Sequence, residues 1–326
     1  MTVDFSTFAS RLHFKGQIVF TSAMRIGTEK SSAVDAPNTP VLRDITGLPY
    51  IPGSSFKGAL RSYVESVARA FQARDDVTDH NLACIPVGRS ANRPPEDNDP
   101  LTQVCLYQDE VNWLKRTKPE DWHRSGSTNN NPLKWRLPAP EIIQAQVNAQ
   151  GDAAVLDAAL RDLSCWTCRL FGAQWLASKV LIKDLYLDEN TFFHTQIRDG
   201  VVIDRDAGRA AQSLKYQFEV VPAGATFNLE LLVENATEAE LGLLWLGIDA
   251  FTRGEVLLGG AKSRGLGWCE LKPDWSASRY TDRNVLLDLL MPSETGAQAG
   301  GLDENTPLTW MRAFAQAIGL EGGHHA

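Results

Sequence analysis

The segment IGTEKSSAVDAPNTPVLRDITGLPYIPGSSFKGALR, Ile26 to Arg61, joins the end of a strand to a long loop and the start of a basic helix. Pro52 and Gly53 interrupt the chain. Ser54 or Ser55 can then act as N-cap, because a hydroxyl there accepts a hydrogen bond from a free first-turn amide. Apolar residues recur at Leu60, Val64, Val67 and Phe71, which predicts a helix from Ser54 to Ala73 packed on a sheet. Lys57 and Arg61 are four residues apart and share one helix face. Together with the unpaired amides of the first turn they make a surface suited to phosphate; a solvated helix face is the plain alternative.

Outward from this segment, LHFKGQIVFTSAMR (Leu12 to Arg25) alternates Phe14, Ile18 and Phe20 with polar residues, the pattern of a half-buried strand. The loop from Gly27 to Asn38 is rich in small residues and carries Asp35 just before an Ala36-Pro37 step that discourages helix. An Asx turn and a catalytic carboxylate are both open for Asp35, whereas Asp44 reads as a turn residue. Residues 75–164 change character. Prolines and asparagines cluster there, broken by short helical patches at Asp109 to Lys115 and Ala153 to Leu163, which marks a loop-rich insertion. Lys115, Arg116, Lys118, Trp122, Arg124 and Lys134 interleave basic and aromatic character, as base stacking, a subunit interface or simple surface would allow.

Cys165 and Cys168 form a Cys-x-x-Cys pair, which supplies two of the four ligands a structural zinc requires. Cys84 and Cys105, both in the insertion, can complete the set, with His80 as a substitute. A thioredoxin-like redox pair would open a helix after a strand, and the following Leu170-Phe171-Gly172 does not suit it. Cys269 reads as core.

Leu176 to Glu189 alternates as a strand, and Asn190 to Gly224 reads as an extended hairpin carrying Arg198, Arg205, Arg209 and Lys215. TFNLELLV (Thr226 to Val233) is a strand, and Thr237 with Glu240 predicts a capping box opening a helix that buries Leu243, Leu244 and Leu246. The order strand, helix, strand, strand, helix, strand predicts an α+β fold with a ferredoxin-like core, its last strand from Gly265 to Leu271. Ahead of that strand, glycine-rich LGGAKSRGLGW (Leu258 to Trp268) lets backbone approach an anion, with Gly259, Gly260, Lys262, Ser263, Arg264 and Gly265 as candidates. A plain turn is the alternative; the Walker pattern is absent. The chain divides into residues 1–74, 75–164, 165–272 and a helical extension, 273–326.

With 326 residues and 43% hydrophobic content the chain can bury a sizeable core. It has no apolar run of about 18 residues and no secretory leader pattern, so a cytoplasmic protein without a membrane segment is expected. The net charge of −8 means that any surface for nucleic acid must be a local basic stripe.

Four stretches, PYIPGSSFKGALRS, the Cys-x-x-Cys with Leu-Phe-Gly, DGVVIDRDAGRAA (Asp199 to Ala211) and GGAKSRGLGW, together resemble the RAMP superfamily, whose members form backbone subunits of type III CRISPR effector complexes. The resemblance implies guide-RNA contacts at Ser54, Ser55, Lys57, Arg61 and the glycine-rich loop. It implies a thumb hairpin, with Arg205 and Arg209, that wedges the guide–target duplex apart. Target RNA would be cut in a Mg²⁺- or Mn²⁺-dependent reaction requiring Asp35, with a structural Zn²⁺ held by the cysteines. The implied partners are guide RNA, target RNA, other copies of the chain and other subunits. A scaffold that holds RNA without cutting it differs only at Asp35. A metal-independent processing nuclease of the superfamily would carry a histidine base in the loop from Gly27 to Asn38, which has none.

Overall fold

The structure, a computed structural model, describes residues 7–27, 40–79, 81–84, 105–106, 108–123, 137–192, 194–204, 209–290 and 300–320. The alternation at the N-terminus becomes β1 (Ser10–Phe20), with Leu12, Phe14, Ile18 and Phe20 all turned inward and buried. A two-residue strand, β2 (Tyr50–Ile51), leads into the first helix, α1 (Gly53–Gln72). Its buried line is Phe56, Leu60, Val64 and Ala68. The predicted stripe drifts at its far end, because Phe71 leaves the sheet and packs edge-on against Phe314.

Where described, residues 75–164 are more regular than their composition suggests. They contain α2 (Gln108–Arg116), α3 (Pro140–Gln150) and α4 (Asp152–Asp162), gathered round a satellite core of Val111, Leu114, Trp122, Ile143, Val155 and Leu160. A short helix, α5 (Trp166–Phe171), follows, then β3 (Val180–Ile182) and β4 (Leu185–Leu187). The hairpin forms its own two-stranded sheet, β5 (Gln196–Asp204) with β6 (Arg209–Val220), and a register shift between Val201 and Ile203 marks a bulge.

Next come β7 (Thr226–Glu234), α6 (Glu238–Thr252) and β8 (Cys269–Pro273). The capping box at Thr237 and Glu240 is formed as the sequence predicts. The main sheet runs β2-β4-β7-β1-β8, with every pairing antiparallel. Leaving out β2, this order is that of a ferredoxin-like core with α1 and α6 on one face. The two helices approach closely where Gly247 of α6 meets α1; a Cβ there would lie 2.6 Å from both Leu60 and Val64 side chains.

The C-terminal segment adds β9 (Arg279–Asp282), paired with the start of β1, then α7 (Arg283–Leu290) and α8 (Thr306–Ala317). Trp310 and Phe314 of α8 are buried against α6, so this helix closes the chain's own core. The opposite face of the sheet is polar and carries ion pairs of Arg11 with Glu234 and of Lys183 with Glu230, whose carboxylate also hydrogen-bonds His13. No helix among the described residues is long and apolar enough to cross a membrane.

Candidate functional site

Two sites lie on different faces of α1. The first is a thiol cluster: the sulfurs of Cys84, Cys105, Cys165 and Cys168 all lie within 4.8 Å of one another and are buried. Cys84 and Cys168 are 3.6 Å apart, and all four are free thiols. Thiolates around a tetrahedral zinc at ~2.3 Å define a tetrahedron with edges of ~3.8 Å, so the four sulfurs fit such a metal. Hydrogen bonds from Cys105, Cys168 and Cys84 hold Cys165 far below the ordinary thiol range, while Cys105 and Cys168 are pushed far above it, chiefly through their own bonds with neighbouring sulfurs. With four protein ligands available, a metal held here would have no open position. His80 lies outside the described residues, and the four cysteines need no substitute.

Two sequence expectations change at this cluster. Cys165 does open a helix, as N-cap of α5, although α4 rather than a strand precedes it. The proximity of Cys84 and Cys105 still argues for a metal set over a two-thiol redox pair. Trp122 is buried in the insertion core and donates its indole N–H to the Thr117 carbonyl, so it is not a base-stacking platform.

The second site is a groove of about 520 Å³ between α1, the segment leaving β1 and the glycine-rich loop. α1 contributes Ser55, Gly58, Ala59 and Ser62, residues spaced to share one helix face. At Gly58 a Cβ would meet nothing within 4 Å, so packing within the described chain does not demand glycine there. The far wall is Gly259, Gly260 and Lys262, and Arg25, Ile26 and Gly27 form the floor.

The loop is fixed to the floor through its backbone. The Gly260 amide donates to the Arg25 carbonyl at 2.8 Å, and the Gly267 amide to that of Ala23 at 2.9 Å. Gly259 has φ +96°, and a Cβ on it would lie 2.6 Å from the Arg25 carbonyl, so only glycine permits this approach. Lys262, Ser263 and Arg264 form a single exposed turn between left-handed Ala261 and Gly265. On the floor, the Nε of Arg25 is buried and has no hydrogen-bond partner among the described residues.

The paired cations of α1 point away from the groove. Lys57 Nζ donates to Ser178 Oγ at 2.6 Å and to the Val180 carbonyl at 2.9 Å. Burial, with Arg61 nearby, lowers its pKa. Arg61 donates to Glu65 at 2.7 Å, to the Gly172 carbonyl at 2.9 Å and to Cys168 Sγ at 3.8 Å. Both side chains therefore serve the body of the protein, and neither lines the groove. Nor does Ser54 or Ser55 cap the helix: Pro52 is the N-cap residue, and Asp184 accepts from the Gly53 amide at 2.8 Å. Ser55 lines the groove, and Ser54 is exposed beside it. Sequence reasoning missed Arg25, Gly58 and Ser62; the available signal was the helical spacing of small residues from Ser55.

Asp35 and Arg205 lie outside the described residues, as does the Arg124 to Trp135 stretch, and Arg209 is described only as the first residue of β6. The flanks of the Asp35 loop are described. Gly27 and Val41 pair across its base, and Gly27 is also part of the groove floor.

Comparison with known proteins agrees with this architecture. The model of the RAMP superfamily matches residues 17–270. Over 52 residues the chain is 44% identical to the CRISPR system Cms endoribonuclease Csm3 of Methanothermobacter thermautotrophicus, covering 15% of this chain and 21% of the relative. Over 89 residues it is 33% identical to the Streptococcus thermophilus protein of the same name, covering 27% of this chain and 40% of that protein. The matched segments thus span less than half the length of either relative. The family match, in contrast, runs from within β1 to within β8, the outer limits of the core, and the chain belongs to the RAMP superfamily.

Proposed function

We propose that this chain is a backbone subunit of a type III CRISPR effector complex that holds guide RNA and cuts the complementary target at regular intervals. The observation that carries this reading is the groove, where the small residues of α1 face Lys262, the glycine-rich backbone and Arg25. Small side chains admit a sugar-phosphate backbone closely, and cations with unpaired donors suit its phosphates. Such binding reads backbone rather than base sequence, which leaves target choice to base pairing with the guide. The net charge of −8 is compatible, because the groove concentrates its basic groups locally.

In this reading the β5–β6 hairpin is the wedge between paired segments, with Arg205 and Arg209 on backbone phosphates. Asp35 is the catalytic residue, on a loop whose ends meet beside the groove floor. It would help hold Mg²⁺ or Mn²⁺, which when bound stabilises charge developing on a phosphate. Displacing one nucleotide from the duplex lets its 2′-hydroxyl reach the in-line position for attack. Partners are guide RNA, target RNA, other copies of this chain and further subunits, and the complex works in the cytoplasm.

The test is cleavage of guide-complementary RNA by the assembled complex, wild type against Asp35→Ala, with Mg²⁺ or Mn²⁺ and then with chelator. Regular cutting that disappears in Asp35→Ala while target binding persists supports the reading. Cutting by Asp35→Ala at the wild-type rate removes the catalytic assignment and leaves an RNA-holding scaffold.

A further inference from the structure

α1 turns one stripe of residues toward the thiol cluster: Arg61, Glu65 and Arg69, each one helical turn from the next. Arg61 reaches Cys168 Sγ through Nη2 and the Gly172 carbonyl, just after α5, through Nη1. Its Nε is held by Glu65. Glu65 is buried, and its second oxygen lies 4.0 Å from Arg69, whose Nη1 donates to the Cys84 carbonyl at 3.3 Å. The stripe thus touches both halves of the cluster, the α5 motif and the start of the insertion. At a third cysteine of the cluster, Thr167 Oγ1 stands 3.3 Å from Cys165 Sγ.

A divalent ion bound by four thiolates carries a net charge of −2. Inside a protein that charge is costly unless cations and hydrogen-bond donors lie beside it, and such outer partners also fix the orientation of the ligands. Arg61 supplies both, with the planar fork needed to reach a sulfur and a carbonyl together. Glu65 holds that fork in place, and Arg69 balances the charge of Glu65.

We propose that Arg61, oriented by Glu65 and backed by Arg69, is a positioning residue of a tetrahedral centre for a soft divalent metal. α1 then serves the metal with one face and the groove with another. This assignment does not depend on the RNA reading; it requires only that the four cysteines bind metal.

The test uses the full chain with Co²⁺ in place of zinc, read by its thiolate charge-transfer bands, and zinc affinity measured by competition with a chromophoric chelator. Arg61→Gln should weaken zinc binding about 10- to 100-fold, the range typical of outer-partner loss, and shift the charge-transfer energy. Arg61→Lys, which keeps the charge and loses the fork, should fall between Arg61→Gln and wild type. Leu60→Ala destabilises the same helix without touching a ligand, and should leave the charge-transfer energy unchanged in the folded chain. Arg61→Gln with wild-type zinc affinity and an unshifted spectrum overturns the assignment, as does an equal spectral shift in Leu60→Ala. A wild-type chain that takes up no Co²⁺ overturns the metal centre and the role of Arg61 with it.

Discussion

The guanidinium of Arg43 donates to the carboxylate of Glu219 at 2.5 Å, tying the chain that follows the Asp35 loop to the stem of the β5–β6 hairpin. The same carboxylate accepts from the Val41 amide at 2.8 Å and from the Thr195 hydroxyl. Nearby, Met24 and Val221 exchange backbone hydrogen bonds, so β1's exit, the loop's return and the hairpin stem form one junction.

This junction should be sensitive to acid. Burial raises the pKa of Glu219, but hydrogen bonds from Thr195, the Val41 amide and Arg43 outweigh it, and the net shift is below the ordinary 4.5. A depressed folded-state pKa means the stabilisation is fully present above the unfolded value and fades as pH falls through the folded one. Glu219→Gln is expected to lose about 1–2 kcal/mol at neutral pH, a modest figure because Arg43 stays partly in water. Melting curves of both proteins should differ at pH 7 and converge below pH 4.5. A gap that persists or widens in acid contradicts this account.

Metal should be structural and stoichiometric. Elemental analysis is expected to find one zinc per chain, and none in Cys84→Ser together with Cys168→Ser. Removing it by chelation should lower the Tm and expose the insertion helices to protease before the main sheet, since the cluster joins the two. An unchanged Tm and digestion pattern would count against a structural metal.

Two glycines one helix apart should respond in opposite directions. A Cβ at Gly242 of α6 would sit only 2.1 Å from the Trp310 carbonyl, so Gly242→Ala must push α8 away, at a cost of about 1–3 kcal/mol. Gly58 has open space, and Gly58→Ala should stabilise α1 by about 0.5–1 kcal/mol. Denaturant midpoints test both signs. If RNA backbone approaches the groove as proposed, Gly58→Ala will also bind guide RNA more weakly while being the more stable protein.

Lys262 stands on the groove wall, whereas Lys57 is engaged within the body. Under the proposed function, Lys262→Ala should weaken guide-RNA binding for every sequence and reduce the salt dependence by about one phosphate contact. Lys57→Met should leave that salt slope unchanged and lower stability instead. Binding isotherms at several salt concentrations separate the two, and equal slopes for Lys262→Ala and wild type would remove Lys262 from the interface.

Local pattern determined much of this protein. The alternation in β1 and β7, the Leu60–Val64 part of the apolar line of α1, the capping box of α6, the hairpin and the Cys165-x-x-Cys168 pair are written in short-range spacing, the strands and helices because backbone geometry imposes periods of 2 and 3.6 on whatever is buried, whereas Cys84 and Cys105 reach that pair only through the fold. Spacing says which residues share a face, but not where that face points. Lys57 and Arg61 do share a face, and only the packing of residues 172–180 against α1 turned it inward, leaving Ser55, Gly58 and Ser62 to the groove. The first amide of α1 is likewise capped from 131 positions away by Asp184 rather than by a neighbouring serine. Arg25 joined the groove because the glycine-rich loop folds back onto the end of β1. Such partners are set by contacts between segments far apart in the chain, which only the folded sheet and its helices bring together.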